Sequence, residues 1–184
     1  MLTLSEWLLF AATGFAAEVE VEVAAEIEVA AEPEIEVLEE ADGTVRVEVV
    51  VAHSVAEVRT LVDLVDDPVT SAALTPEILS VEVAPGEPCQ EITTRSRGLF
   101  RPLTYTVQRC PAADGWTEVL LRSDDFDDYW SEWVVRPSEE GTRVTFRIRS
   151  DPNLPVPRSL VRKGIRRSAT RTVENLLESL HEKK

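Results

Sequence analysis

Histidine, cysteine and methionine are nearly missing from this 184-residue chain, which holds two His, two Cys and one Met. So few His and Cys leave no ligand spacing for a zinc site. Glycine is scarce as well, at seven residues, and none of it forms a phosphate-cradling loop. No serine stands in a nucleophile-elbow motif. No apolar run approaches the ~20 residues that span a bilayer. Positive charge is absent from the N-terminal part: Glu18 to Glu40 contains ten Glu and no Lys or Arg. What is present is a large apolar fraction, 43%, with 29% charged residues, the composition of a globular protein.

The formal net charge of -15 is unevenly spread. Outside the acidic stretch and Glu6, residues 41–184 carry an excess of only four negative charges. Within them, Arg158 to Lys184 holds eight Lys or Arg against three Glu. Overall acidity argues against nucleic acid as a partner, because phosphate contacts need a positive face. The basic end, through Arg158, Arg162, Lys163, Arg166 and Arg167, suits an anionic membrane surface, or else is a solvated helix face.

Residues 1–17 are read as a signal peptide or a short N-terminal helix. Trp7 to Ala17 has the length of a signal-peptide core, and Gly14 and Ala16 are placed for cleavage. The expected preceding cation is missing, and Glu6 stands there instead. Residues 18–41 alternate Glu with Val or Ile and repeat Ala-Ala-Glu. Alternation is a strand signal, but Glu at every second position repels itself and needs a basic partner. The expectation is a solvated, low-complexity acidic linker, the alternative an acidic arm on a basic surface.

From residue 42 to 184 the pattern is that of one α+β domain. Val45, Val47, Val49 and Val51 alternate with polar residues as a half-buried strand. Ser54-Val55-Ala56-Glu57 is a capping box opening a helix over about residues 54–65, and Pro68 and Pro76 bracket a second short helix. Six strand-like runs follow, over 78–84, 88–97, 102–110, 116–123, 129–136 and 142–149, joined by short turns that imply an antiparallel meander. Leu160, Val161, Ile165, Ala169, Val173, Leu176, Leu177 and Leu180 then mark a helix of roughly twenty-four residues. A curved sheet with one apolar face needs a cover, and this helix is large enough to supply it.

A hairpin closed by residues 98–101 pairs Ile92 with Val107, Thr94 with Tyr105 and Ser96 with Leu103, which gathers the apolar partners on one face. The same register sets Cys89 opposite Cys110, where a disulfide is geometrically possible and two free thiols remain the alternative. The cysteine placement and the apolar core of residues 7–17 favour an exported protein over a cytoplasmic one.

Two stretches carry a family resemblance. One runs from Val45 through Ser54 to Val58. The other comprises Trp133-Val134-Val135-Arg136-Pro137, Gly141-Thr142-Arg143-Val144-Thr145-Phe146, and Asp151-Pro152-Asn153-Leu154-Pro155-Val156-Pro157 with the Arg158-Ser159-Leu160-Val161-Arg162 that follows. They resemble the START-like (SRPBCC) superfamily, in particular its bacterial polyketide cyclase–dehydratase and coenzyme-Q-binding branch. The resemblance covers about residues 44–182. It implies a helix-grip fold: a seven-stranded curved antiparallel sheet wrapped around a long C-terminal helix, with two short helices after strand 1. It also implies an apolar ligand between sheet and helix. One departure is that Asp66 to Ala73 has no aromatic residue, where members commonly carry Trp or Tyr.

Alternation assigns the ligand-facing wall to Thr94, Ser96, Tyr105, Val107, Leu121, Tyr129, Ser131, Trp133 and Phe146, with Ile165 and Ala169 from the helix. Such a wall is apolar with sparse hydroxyl anchors. No titratable group for catalysis is expected in it; His53 is read as a loop residue and His181 as solvated. Asp124, Asp125, Asp127 and Asp128 fit no EF-hand spacing and are read as a solvated acidic turn. No catalytic residue, metal or cofactor is assigned. The expected function is a carrier or sequestering protein for a lipid-, quinone- or polyketide-like molecule. The alternatives are a cyclase or dehydratase using Tyr105 or Tyr129, and a filled-core protein-interaction module.

Overall fold

The computed structural model describes residues 33–65, 67–74, 78–98 and 101–181. The segment 1–17 and residues 18–32 of the acidic stretch lie outside these. Eight strands and three helices follow in the order β1 (Glu36–Glu39), β2 (Val45–Val51), α1 (Val55–Val65), α2 (Pro68–Leu74), β3 (Ile78–Ala84), β4 (Gln90–Ser96), β5 (Leu103–Ala112), β6 (Gly115–Ser123), β7 (Phe126–Ser138), β8 (Gly141–Pro152) and α3 (Arg158–His181). All strands join one antiparallel sheet, β1-β2-β8-β7-β6-β5-β4-β3. This is the helix-grip α+β architecture, with eight strands where the sequence suggested seven.

The extra strand corrects the linker expectation for its last residues. Glu36 to Glu39 pair with β2, Val37 standing opposite Val47. Ile35 and Val37 pack against the core, and the basic partners that the Glu-rich pattern requires are there. Arg147 reaches Glu40 at 2.8 Å and Arg162 reaches Glu39 at 3.5 Å. Cations on a neighbouring strand and on α3 relieve the repulsion that would keep these residues in solvent.

Local rules explain much of the rest. In β2 the four valines at 45, 47, 49 and 51 are buried while residues between them are half-buried, as a period of two demands. The capping box forms: the Ser54 N–H donates to Glu57 Oε2 at 3.0 Å and the Glu57 N–H donates to Ser54 Oγ at 3.3 Å. The Ser54 hydroxyl, which donates to the same Glu57 oxygen at 2.7 Å, and then the Ser54 N–H hold the Glu57 carboxyl below its ordinary range. The β7–β8 turn needs glycine, because Gly141 has φ of +137° and a Cβ there would stand 2.2 Å from the Val51 carbonyl oxygen.

The core lies at one end of the concave face. Trp133 (1% exposed) stacks on Phe146 with ring centroids 4.6 Å apart. Val47, Val49, Val135 and Val144 surround them, and Val58, Leu61 and Val62 of α1 with Ala169, Val173, Leu176, Leu177 and Leu180 of α3 close the cluster. The helix thus seats on β2, β8 and α1, and the space beneath it is filled by side chains.

Cys89 and Cys110 are joined by a disulfide across the β4–β5 pair, with Cα atoms 4.3 Å apart. It closes a loop with a sequence separation of 21, for which chain-entropy arguments give about 3 kcal/mol of stabilisation. The double variant Cys89→Ser/Cys110→Ser is expected to lose about 2–4 kcal/mol in urea unfolding, and reductant should lower the wild-type midpoint by a similar amount. Coincident transitions for wild type, with and without reductant, and for the variant would show that the bridge contributes nothing.

Candidate functional site

The concave face opens over β3 to β6, to the side of the filled half. A cavity of about 110 Å³ there is lined by Pro68 of α2, Ile78, Val81, Ile92, Thr94, Tyr105, Val107, Arg109, Glu118 and Tyr129. The register builds it. Thr94 stands opposite Tyr105 and Ile92 opposite Val107, and Arg109 stands opposite Glu118, which in turn faces Ser131. Tyr105, Tyr129 and Phe126 form a ring cluster along one side, with centroids 5.0 Å (Tyr105–Phe126) and 5.3 Å (Tyr105–Tyr129) apart.

Glu118 is the polar centre of this pocket. Its Oε2 accepts hydrogen bonds from the Tyr129 hydroxyl at 3.3 Å and the Ser131 hydroxyl at 3.1 Å. Its Oε1 lies 3.1 Å from Arg109 Nε in an ion pair whose side chains are 15% and 14% exposed. The Arg109 guanidinium also lies over the Trp116 ring, 5.1 Å from its centroid, a favourable cation–π placement. A buried charge demands such pairing. Burial, and then the nearby Glu118 charge, push the Tyr105 phenol up to about 12. The same two causes, in the same order, raise Tyr129 well above its ordinary value. Both phenols are therefore hydrogen-bond donors at neutral pH and not bases.

The candidate residues separate into distinct places. Thr94, Tyr105, Val107 and Tyr129 line the cavity, and buried Ser131 supports it through Glu118. Ser96, opposite Leu103 and half-buried, lies outside the lining. Trp133, Phe146 and Ala169 belong to the packed core and are not among the residues that line the β3–β6 cavity. Ile165 packs against that core and borders a charged groove at the start of α3. Leu121 is 43% exposed on the opposite face and is corrected out of the site. The inward residues of β6 are Trp116, Glu118 and Leu120, not Thr117, Val119 and Leu121, because the register running from the turn at 113–114 sets Arg109 opposite Glu118 and Val107 opposite Leu120. Three successive apolar residues, Val119 to Leu121, hide the parity of this strand.

Two site residues escaped the alternation argument, Arg109 and Glu118, and with them the expectation of a pocket without titratable groups fails. A signal existed. Leu103, Tyr105 and Val107 continue by twos to Arg109, and a β5–β6 hairpin closing at residues 113–114 sets Glu118 opposite Arg109. The acidic tip at residues 124–128 is also not simply solvated. Asp125 is 3% exposed, accepts the Thr104 N–H at 2.6 Å and pairs with Arg101 at 2.5 Å.

The groove at the start of α3 encloses about 360 Å³ between Asp42, Asp128, Arg149, Asp151, Arg158 and Arg162. Arg149 there already spans Asp128 at 2.5 Å and Asp42 at 3.3 Å. Its walls are mostly charged, whereas the β3–β6 pocket sets Ile78, Val81, Ile92 and Val107 beside two phenols, Thr94 and one ion pair, a mixture of apolar wall and polar anchors that suits a small molecule.

A curved sheet gripping a helix, with a small mixed apolar–polar pocket beside it, defines a START-like protein. The sequence comparison makes the assignment specific: residues 43–183 match the family described as polyketide cyclase / dehydrase and lipid transport, and the chain belongs to that family. No curated protein matches the sequence. Among solved structures, a START superfamily protein from Mycobacterium smegmatis is 19% identical with a TM-score of 0.59, over 76% of this chain and 97% of the other. A STAR-related lipid transfer protein from Xanthomonas axonopodis is 17% identical with a TM-score of 0.54, over 80% and 98%. The di-domain ARO/CYC StfQ of the steffimycin biosynthetic pathway is 14% identical with a TM-score of 0.54, over 73% of this chain and 48% of that one. These likenesses establish the shared fold.

The chain's two tyrosines both belong to this pocket, so phenolate absorbance reports on it alone. Their pKa values are raised above the unfolded value near 10, so the stability they contribute is complete below about pH 10. It is lost as pH rises through about 12 for Tyr105. Tyrosinate absorbance is expected to stay flat through pH 10 in the folded protein, Tyr105 ionising only near pH 12 and Tyr129 only well above its ordinary value, or both on unfolding. A midpoint at the ordinary value for either ring would contradict the buried pocket.

Proposed function

We propose that this protein binds an apolar small molecule with one hydrogen-bonding end, a lipid-, quinone- or polyketide-like compound, and holds it non-covalently as a carrier or sequestering protein. The observation that supports this is the Arg109–Glu118 pair, with Tyr129 and Ser131 bonded to it, set beside Ile78, Val81, Ile92 and Val107 in a pocket on the concave face. Apolar burial supplies the affinity, at roughly 25 cal/mol per Å² before ordering costs. The polar centre supplies orientation. At about 110 Å³ the pocket is well below ordinary ligand sites, which run to about 300–1,000 Å³. It suits one ring or one polar head, and the remaining apolar part of the ligand lies along the rim, where exposed Val83 continues the face of Ile92.

The second reading, a cyclase or dehydratase, is favoured by the same two phenols and the charged pair. It asks a general acid or base to act near neutral pH, where the best catalysts have pKa values close to the working pH. Phenols raised this far above their ordinary range are poor acids. Glu118 already accepts hydrogen bonds from Tyr129 and Ser131 and is held in an ion pair with Arg109, which leaves it little freedom to move a proton. Binding therefore fits the groups better than turnover.

Native mass spectrometry of protein purified without detergent, then challenged with a lipid and quinone mixture, tests the binding reading. A stoichiometric adduct is expected. Glu118→Gln and Arg109→Met are each expected to weaken uptake by about ten-fold or more, the worth of a charge-assisted hydrogen bond. A clean apo mass with no uptake removes the carrier reading. Turnover of a poly-β-ketone substrate that is lost in Tyr129→Phe would move the assignment to the enzyme.

A further inference from the structure

The N-terminal half of α3 carries six cations and no acid between residues 158 and 171: Arg158, Arg162, Lys163, Arg166, Arg167 and Arg171. No acidic residue stands in its first turn. That arrangement opposes the helix dipole, whose positive end favours Asp or Glu at this position. Helix stability thus does not account for it. Nor do ion pairs within the domain. Among the described residues only Arg162 of the six has one, to Glu39 at 3.5 Å. Lys163, Arg166, Arg167 and Arg171 line a shallow open surface along the helix, which Glu174 and Glu178 continue at its C-terminal end, away from the core strip of Ala169, Val173 and Leu176. Leu160, 59% exposed, precedes Lys163, Arg167 and Arg171 at spacings of three and four on the same stripe.

We propose that this face of α3 docks on an anionic phospholipid surface. A single straight row of cations matches a flat negative plane, and basic side chains with an adjacent apolar residue are the chemistry of interfacial helices. Leu160 is the feature that favours lipid over an acidic protein or a nucleic acid, since it has a place to go in the acyl boundary and none in a polar groove. The net charge of -15 does not forbid the contact, because acids farther than a Debye length of about 8 Å are screened at physiological salt. The contact does not depend on what the β3–β6 pocket holds, so it stands or falls apart from the binding reading.

Vesicle flotation with the full chain tests it. Vesicles of phosphatidylcholine with about one-third phosphatidylglycerol should carry the protein, and pure phosphatidylcholine vesicles should not. Raising salt from about 0.05 M to about 0.5 M should release it. The variant Lys163→Gln/Arg166→Gln/Arg167→Gln/Arg171→Gln changes only exposed side chains and should keep the wild-type thermal transition. Its partitioning is expected to fall by more than about a hundred-fold, at roughly five-fold per cation removed. Glu174→Gln/Glu178→Gln, farther along the same helix, should strengthen partitioning instead, and Leu160→Ser should weaken it a few-fold. Equal binding to neutral and anionic vesicles, insensitivity to salt, or a quadruple variant that floats like wild type would overturn the proposal. Retention on RNA or polyglutamate without retention on vesicles would overturn it as well.

Discussion

One strip of α3, from Ala169 through Val173 and Leu176 to Leu180, is buried against the valines of β2 and β8 and against Trp133. Each of these larger side chains gains roughly 1.5–3 kcal/mol on leaving water, and a sheet with one apolar face has no other cover of that size. The seating fixes where the helix lies, where α1 must pack beside it, and which half of the concave face is solid. Trp133 and Phe146, stacked at 4.6 Å, occupy the volume that would otherwise lie between helix and sheet.

The open half follows from that filling. Beyond β7 the concave face is completed by β6, β5, β4 and β3, with Pro68 of α2 at its border. There the wall changes character, from apolar to a mixture of apolar side chains with Thr94, two phenols and the Arg109–Glu118 pair. An isolated carboxylate would not survive such burial; this one is matched by Arg109, Tyr129 and Ser131. The same burial that makes the site apolar is what keeps both phenols protonated, so the pocket presents donors arranged around a paired charge. Structure and chemistry agree in favouring recognition of a ligand with one polar end.

On the convex face, charge does the organising. Arg143 pairs with Glu48, Arg147 with Glu40 and Glu132, and Arg149 with Asp42 and Asp128. Arg147 also lies over the Trp130 ring at 5.4 Å. Exposed pairs contribute little singly, but this ladder along β8 gives the end of an acidic stretch a reason to become a strand. Val37 supplies the apolar contact and Arg147 the charge match, and β1 extends the sheet by one strand.

The sequence by itself determined the order of elements, the capped first helix, the long amphipathic last helix and the β4–β5 register, because each rests on local periodicity or on a short turn. It also set Cys89 opposite Cys110 and grouped Thr94, Tyr105 and Val107 on one face by the rule that neighbours alternate. Only the tertiary structure decided the rest. The parity of β6 depended on its pairing with β5 from the 113–114 turn, since three adjacent apolar residues conceal it within the strand, so Glu118 turned inward and Leu121 outward. The place of the cavity depended on which side chains fill the space beneath α3, a matter of volume that alternation does not carry. The fate of Glu36 to Glu39 depended on Arg147 and Arg162, more than a hundred residues away along the chain. Periodicity sees neighbours in sequence, and charge pairing and packing act between neighbours in space.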